Sequence, residues 1–328
     1  MQKIWTSDFS EMINACPHGH VLAVCLHPAL DVTIYTENGR EIKRRSDLGG
    51  KAVNLARMLH LLGARVTLIA PADPQGLTQA LLDHCGFDCE LIDSDLSLRT
   101  NFKYIDALGS CREQNGVAGS ISPQYLEQLI DRVLHICRTR QISNLALCGS
   151  FPQGVEKGVY KSLIQEANAL NISCVTDASG ESLSLAVQAK PCLIKPNFEE
   201  FCSLTAQDFS MLKTLQEIQN AVTEAFLATG VPILCSLDKR GALYAGPEGT
   251  YTVQGRVIPC VAGFAGAGDT MLAAFTYARM LCNVPIEQSL RFALAAATAK
   301  VTLPANTLPC AEQIYAEWTH TTCKKGGT

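Results

Sequence analysis

The strongest constraint on this chain is a repeated alternation of short apolar strands with longer helical segments. Residues 21–27, VLAVCLH, read as a buried strand: short, apolar and rich in β-formers. A polar stretch follows at 31–47. It alternates in Val32-Thr33-Ile34-Tyr35 and turns at Asn38-Gly39, which predicts a solvent-facing hairpin or flap. Paired glycines at 49–50 then open a helix with apolar Val53, Leu55, Leu59 and Leu62, which stops at Gly63 before a strand at 66–70. The same grammar continues with helices near 76–85, 123–138, 155–170 and 214–229. Strands are expected at 87–92, 100–107, 144–148, 172–177, 192–195 and 231–237. A β-rich region at 242–261 and two long apolar helices after Gly268 complete it. Units of this kind predict an α/β chain, a mostly parallel sheet with helices on both faces. The polar β segments near 31–47 and 98–109 fit no such sheet and predict a separate small lid. The first 18 or so residues and the last 8 or so read, by composition, as loose ends.

Composition narrows the function. Hydrophobic residues are 47% of the 328 and charged residues 18%, enough to bury a sizeable core. The net charge is −4, and like charges cluster only at Lys43-Arg44-Arg45 and Lys324-Lys325. Such a chain has no electrostatic reason to coat nucleic acid or an anionic membrane. Any anion it binds is held by a few placed groups. No apolar run reaches the ~18–20 residues of a membrane span, and the first residues lack the pattern of a secretory signal. Fifteen cysteines, an odd number, sit singly and mostly in apolar runs, with no C-x-x-C pair. They read as small buried hydrophobes in a reducing compartment, so a cytoplasmic location is expected.

Four clusters carry chemistry. The sharpest is Gly263-Phe264-Ala265-Gly266-Ala267-Gly268-Asp269-Thr270, a glycine-rich turn feeding an apolar helix. Glycines let successive N–H groups point into one concavity, and the helix dipole adds roughly half a positive charge there. In such an anion hole, Asp269 makes sense as a base that takes a proton while the amides stabilise developing negative charge. The bland alternative is an ordinary helix cap. The second cluster, Gly49-Gly50-Lys51-Ala52-Val53-Asn54, lets a ligand approach the backbone, with Lys51 for an anion and Asn54 for a hydroxyl, or else is a turn with a solvated lysine. The third is Lys195-Pro196-Asn197-Phe198-Glu199-Glu200. Asn197 and Glu200 share a helix face and suit Mg²⁺ held through water, or form a capping box. The fourth is the strand residues Arg99, Asn101 and Lys103, whose period of two places them on one face. There they could clamp a phosphate or simply be solvated.

Together with His27-Pro28-Ala29-Leu30-Asp31 and Cys148-Gly149-Ser150-Phe151-Pro152, these motifs stand in an order that resembles the ribokinase-like family of sugar kinases, its phosphofructokinase-B branch, over about residues 21–315. Asp31, the lysine of the Gly-Gly-Lys turn and Arg99-x-Asn101-x-Lys103 look like 1-phosphofructokinases and tagatose-6-phosphate kinases. The chain departs from the family pattern at His27, at Ala52 and in the nucleotide loop, which reads Ser236-Leu237-Asp238-Lys239-Arg240-Gly241 with Asp238 in place of a glycine. Of a Gly-x-x-Gly-x-Asp segment only Asp73 remains.

The resemblance implies a three-layer α/β/α ribokinase-like domain at 21–320, an N-terminal extension at 1–20 and a β lid from about 32–47 and 98–115, through which a homodimer would form. It implies ATP and Mg²⁺ as cofactors and a ketohexose phosphate as acceptor: fructose 1-phosphate, tagatose 6-phosphate or fructose 6-phosphate. Asp31, Gly50 and Asn54 would hold sugar hydroxyls, and Lys51, Arg99, Asn101 and Lys103 would lie along the phosphate. Lys195, Ser236, Asp238, Gly241 and Asn306 would meet ATP, Asn197 and Glu200 the metal shell. Gly266, Ala267, Gly268 and the base Asp269 would serve the transfer. The alternatives are a free-sugar or nucleoside kinase of the same fold, and a sugar-phosphate-binding protein that has lost ATP turnover.

Overall fold

A computed structural model describes residues 5–83, 85–106, 111–117, 119–208, 212–259, 265–304 and 307–326. In chain order the elements begin with α1 (Ser7–Ile13), β1 (His20–Val24), β2 (Ala29–Glu37), β3 (Arg40–Gly49), α2 (Lys51–Leu61), β4 (Arg65–Ala72) and α3 (Leu77–Leu82). Next come β5 (Asp88–Asp93), β6 (Arg99–Asp106), β7 (Cys111–Gln114), α4 (Pro123–Thr139), β8 (Asn144–Cys148), α5 (Val159–Ala169) and β9 (Ser173–Asp177). Then follow α6 (Gly180–Gln188), β10 (Leu193–Ile194), α7 (Phe198–Thr205), α8 (Leu215–Thr229), β11 (Ile233–Ser236), β12 (Ala242–Gly246) and β13 (Gly249–Gln254). The chain closes with α9 (Ala267–Phe275), α10 (Ile286–Val301), α11 (Ala311–Trp318) and β14 (Thr322–Lys325).

The main sheet runs β14-β13-β12-β11-β10-β9-β8-β1-β4-β5. From β11 through β5 every pairing is parallel; β12, β13 and β14 add an antiparallel edge. Strand β1 shows why the sheet lies in the middle. Its residues are all buried, and they alternate between two cores: Val21 and Ala23 pack on one face, Leu22 and Val24 on the other. A strand hidden on both faces must be apolar throughout, as the sequence of β1 is. Local chemistry fixes the helix starts. Ser122 accepts from the Tyr125 amide ahead of Pro123 at α4, and Thr214 and Glu217 form a capping box at α8. The retained Asp73 is also a cap, accepting from the Leu77 and Thr78 amides at the start of α3.

The two polar segments pair with each other in a second sheet, β3-β2-β6-β7. Strand β2 runs parallel to β6, with Ala29 opposite Arg99, Asp31 opposite Asn101 and Thr33 opposite Lys103. The β2–β3 hairpin turns at Asn38-Gly39 and delivers the chain straight into α2.

The chain ends depart from the expectation. Far from being loose, α1 buries Phe9 and Met12. The Phe9 ring lies 4.9 Å from Tyr315, 5.7 Å from Trp318 and 6.2 Å from Phe292, centroid to centroid. Strand β14 pairs with β13 as the outermost strand of the main sheet. Helix α6 had no counterpart in the sequence reading, because its buried face, Ser182, Leu183, Ala186 and Val187, carries a serine in the apolar stripe.

No helix among the described residues is long and apolar enough to cross a membrane. The described cysteines are free thiols, of which only Cys16 and Cys310 are exposed. Burial pushes the Cys25 thiol up to about 12. Thiol titration of the native protein should therefore find, among these cysteines, Cys16 and Cys310 reacting fast and the buried ones only after denaturation. Several native disulfides by mass spectrometry would contradict this.

Candidate active site

In a parallel α/β sheet, ligand-binding groups gather at the carboxyl ends of the strands and the amino ends of the helices that follow. The same edge here collects the end of β9, the turn after β10, and the first turns of α2, α7 and α9. A cleft of about 450 Å³ opens over it.

At its floor, Gly266 takes a left-handed φ of 79° and starts α9. The first helical hydrogen bond runs from Thr270 N–H to the Gly266 carbonyl, at 2.9 Å. The amides of Ala267, Gly268 and Asp269 precede it and lie at the helix mouth without intrahelical partners. Gly268 packs closely: a Cβ there would stand 3.1 Å from Lys195 Nζ, and the lysine would have to give by a few tenths of an ångström.

Asp269 is 7% exposed. The Asn54 amide donates to its Oδ2 at 2.8 Å. Burial first, and the nearby Asp177 carboxylate second, raise its carboxyl to about 6, against the pull of Asn54, Lys51 and Lys195. A carboxylate so placed is a competent proton acceptor near neutral pH, where an ordinary aspartate is a weaker base.

Asp177, the last residue of β9, was not singled out in the sequence. It is fully buried, with Lys51 Nζ 2.7 Å from Oδ1 and Lys195 Nζ 3.1 Å from Oδ2. Burial alone would raise its carboxyl, but the Lys195 and Lys51 ammoniums more than offset that and hold it below the usual carboxylate range. The only sequence signal was an acid closing a buried strand, Cys174-Val175-Thr176-Asp177. Lys51 was expected to face an anionic ligand. It lines the cleft, and its ammonium pairs with Asp177, with Glu200 Oε1 3.8 Å from Nζ; those carboxylates raise its pKa despite burial.

Asn197 and Glu200 do form a capping box: Glu200 N–H donates to Asn197 Oδ1 at 2.7 Å and Asn197 N–H to Glu200 Oε2 at 2.8 Å. The box leaves Glu200 Oε1 toward Lys51 and the cleft. Ser236, Asp238, Lys239 and Gly241 form another part of the wall. Asp238 adopts φ 50°, the left-handed region that glycine favours and aspartate tolerates, so the loop keeps a turn that a glycine would give. Gly241, at φ 95°, lies so close to the Val253 carbonyl that no side chain fits. Arg240 turns away and stacks on Phe198 at 4.7 Å. The opposite wall is largely apolar, with Leu294, Ala297, Thr298 and Val301 on one stripe of α10.

The remaining candidates lie toward the second sheet. The Asn101 amide donates to Asp31 Oδ1 at 2.8 Å. Asp31 sits over Gly49, where any Cβ would collide with its carboxylate. Gly50, at φ 123°, packs beside the His27 carbonyl. Arg99 is half-buried and Lys103 buried. His27 donates or accepts at Nδ1 with Ser150 Oγ, 3.1 Å away, and burial followed by the Arg99 charge lowers it to about 4, so it is neutral near pH 7. The structure thus brings eleven candidates to the cleft, sets Asn54 against the base, and gathers Asp31, Arg99, Asn101 and Lys103 on the small sheet. Asn306, with Gly263 and Phe264, lies outside the described residues.

Residues 21–313 match the sequence profile of the pfkB family carbohydrate kinases. Among curated relatives, the chain is similar to the 1-phosphofructokinase of Haemophilus influenzae, 28% identical over 70% of this chain and 72% of that one. It is also similar to the ATP-dependent 6-phosphofructokinase isozyme 2 of Escherichia coli, 29% identical over 90% of this chain and 98% of that one. The structure of phosphofructokinase-2 from Escherichia coli, solved with substrates and products, superposes with a TM-score of 0.80 at 25% identity, covering 92% of this chain and 98% of that one.

Proposed function

Since the chain belongs to the pfkB family of carbohydrate kinases, we propose that it transfers the γ-phosphoryl group of ATP to a hydroxyl of a ketohexose phosphate, with Asp269 as the base. The observation that carries this is Asp269 itself: buried, raised to about 6, and set at the unpartnered amides of α9 on the floor of the cleft. ATP would occupy the cleft, its base against the apolar stripe of α10 and its phosphates toward the α9 mouth. The acceptor would lie between the small sheet, as a lid, and α2. Asp31, Gly50 and Asn54 would hold its hydroxyls; Arg99 and Lys103 would hold its phosphate. Asn54 fixes the Asp269 carboxylate so that its other oxygen can take the hydroxyl proton. The α9 amides stabilise charge on the transferring group.

Among the described residues no group of three or more His, Cys, Asp or Glu side chains is arranged to hold a metal. The donor set fits Mg²⁺ carried mainly by water and phosphate oxygens, with Glu200 Oε1 in its outer shell. Bound there, the ion would neutralise charge on the phosphates. Glu200→Ala tests this. Loss of the cap costs about 1 kcal/mol of stability. The variant should also need clearly more Mg²⁺ for half-maximal rate. An unchanged Mg²⁺ dependence returns Glu200 to a capping role only.

A homodimer would form through the small sheet, whose edge strand β3 is exposed from Arg40 to Ser46. Free thiols fit the cytoplasm. A second reading, a sugar-phosphate-binding protein without turnover, is favoured by the Asp238 carboxylate in the nucleotide wall. Calorimetry with ATP and Mg²⁺ separates the two. Saturable nucleotide binding is expected; sugar-phosphate binding with no nucleotide binding would establish the second reading.

A further inference from the structure

We propose that Lys300 is a specificity-determining residue whose ammonium receives the phosphate that the acceptor already carries, a reading that rests on the kinase assignment above. Lys300 lies near the end of α10 in the apolar run Ala295-Ala296-Ala297-Thr298-Ala299-Lys300-Val301. It is 2% exposed, and its Nζ has no hydrogen-bond partner among the described residues. A buried ammonium without a partner is costly to hold in any fold. Burial first and Lys103 second lower it to about 8; Arg57 adds to the repulsion and Asp269 opposes it. The charges of Lys103 on β6, Arg57 on α2 and Asp269 on α9 are thus all near enough to act on the Lys300 ammonium. A Cβ on Gly266 would touch Lys300 Cε at 3.5 Å and Asn54 Nδ2 at 3.6 Å, which places the Lys300 stem next to the residue that orients Asp269.

Two phosphoryl groups could neutralise this charge: the acceptor's own phosphate or the γ-phosphoryl group in transfer. The surroundings of Lys300 favour the first. Leu294, Ala297, Thr298 and Val301 are the α10 residues that face the nucleotide cleft, and Lys300 is absent from that lining. Its charged neighbours Lys103 and Arg57 stand on the small sheet and α2, the acceptor's side. Lys51, which the sequence offered for this phosphate, is engaged by Asp177. Lys300 supplies the missing charge.

The test uses Lys300→Met and Lys300→Gln in the full chain. Binding of fructose 1-phosphate, fructose 6-phosphate, tagatose 6-phosphate and unphosphorylated fructose is measured by calorimetry, and the KM for ATP by initial rates. Both variants should weaken the preferred phosphate ester by about 10- to 100-fold, as expected for a lost charge-assisted contact. Fructose binding and the KM for ATP should stay within a few-fold. Lys300→Met should melt no lower than wild type without ligand, because it removes an unpaired buried charge. Unchanged affinity for the ester overturns the proposal. So does a fall in kcat with ester affinity intact, which would put the ammonium on the γ-phosphoryl group. If Lys300→Met does not fold, Lys300→Gln decides by the same two outcomes. A wild-type protein that binds fructose but no phosphate ester overturns the kinase's substrate class itself, and shows it before any variant is made.

Discussion

Asp269→Asn should lower kcat by at least about 10²-fold while leaving the affinities for ATP and acceptor within a few-fold. The acceptor hydroxyl attacks poorly until its proton has a destination. The amide keeps the shape and still accepts from Asn54, but has no basic site. A role as helix cap predicts the opposite, because Asn caps about as well as Asp. A variant retaining more than about a tenth of wild-type kcat removes Asp269 as the base. The wild-type pH profile carries the same signature. A base must be ionised, and this one titrates at about 6. Activity should therefore fall as pH drops through 6, about tenfold per unit at the limit. Stability runs the other way. A carboxyl raised above its unfolded value costs stability once ionised, so Asp269→Asn should melt no lower than wild type above that pH.

Asp177→Ala should have the largest effect on stability, about 3–5 kcal/mol by denaturant unfolding. It removes a fully buried carboxylate and leaves the ammonium of Lys195, itself 4% exposed, without its 3.1 Å partner. Asp269 offers partial compensation, which favours the lower end of that range. Adding Lys195→Met should recover much of the loss, because a buried pair replaced by apolar groups is close to neutral. Recovery of nothing would mean that Asp177 stabilises through Lys51 alone. Losing Asp177 also removes one cause of the raised Asp269 carboxyl. Any residual activity should then show its acidic limb shifted to lower pH.

What could be read from the sequence follows the range of the forces involved. Alternating apolar strands and helices are local patterns, and β1, α2, α4, β8 and α8 lie close to where the sequence placed them. The glycines of the α9 turn announce their backbone geometry by themselves. The packing of α1 was not visible, because Phe9 is anchored by Phe292, Tyr315 and Trp318 at the far end of the chain. Asp177 escaped for the same reason: its ion pair with Lys51 spans 126 positions. Lys300 reads as an ordinary charge in a helix until the fold brings it within reach of the charges on Lys103, Arg57 and Asp269. At Asn197 and Glu200 the sequence left a cap and a metal role open; the cap is formed, and one Glu200 oxygen remains for the cleft.

The most direct measurement is ATP turnover by the purified chain with Mg²⁺, offered fructose 1-phosphate, fructose 6-phosphate and tagatose 6-phosphate, each beside its free sugar. The account predicts ADP formation that depends on a phosphorylated ketohexose and is far slower with the free sugars at equal concentration. Turnover as fast on a free sugar as on its phosphate, or no turnover on any phosphate that binds, would contradict it.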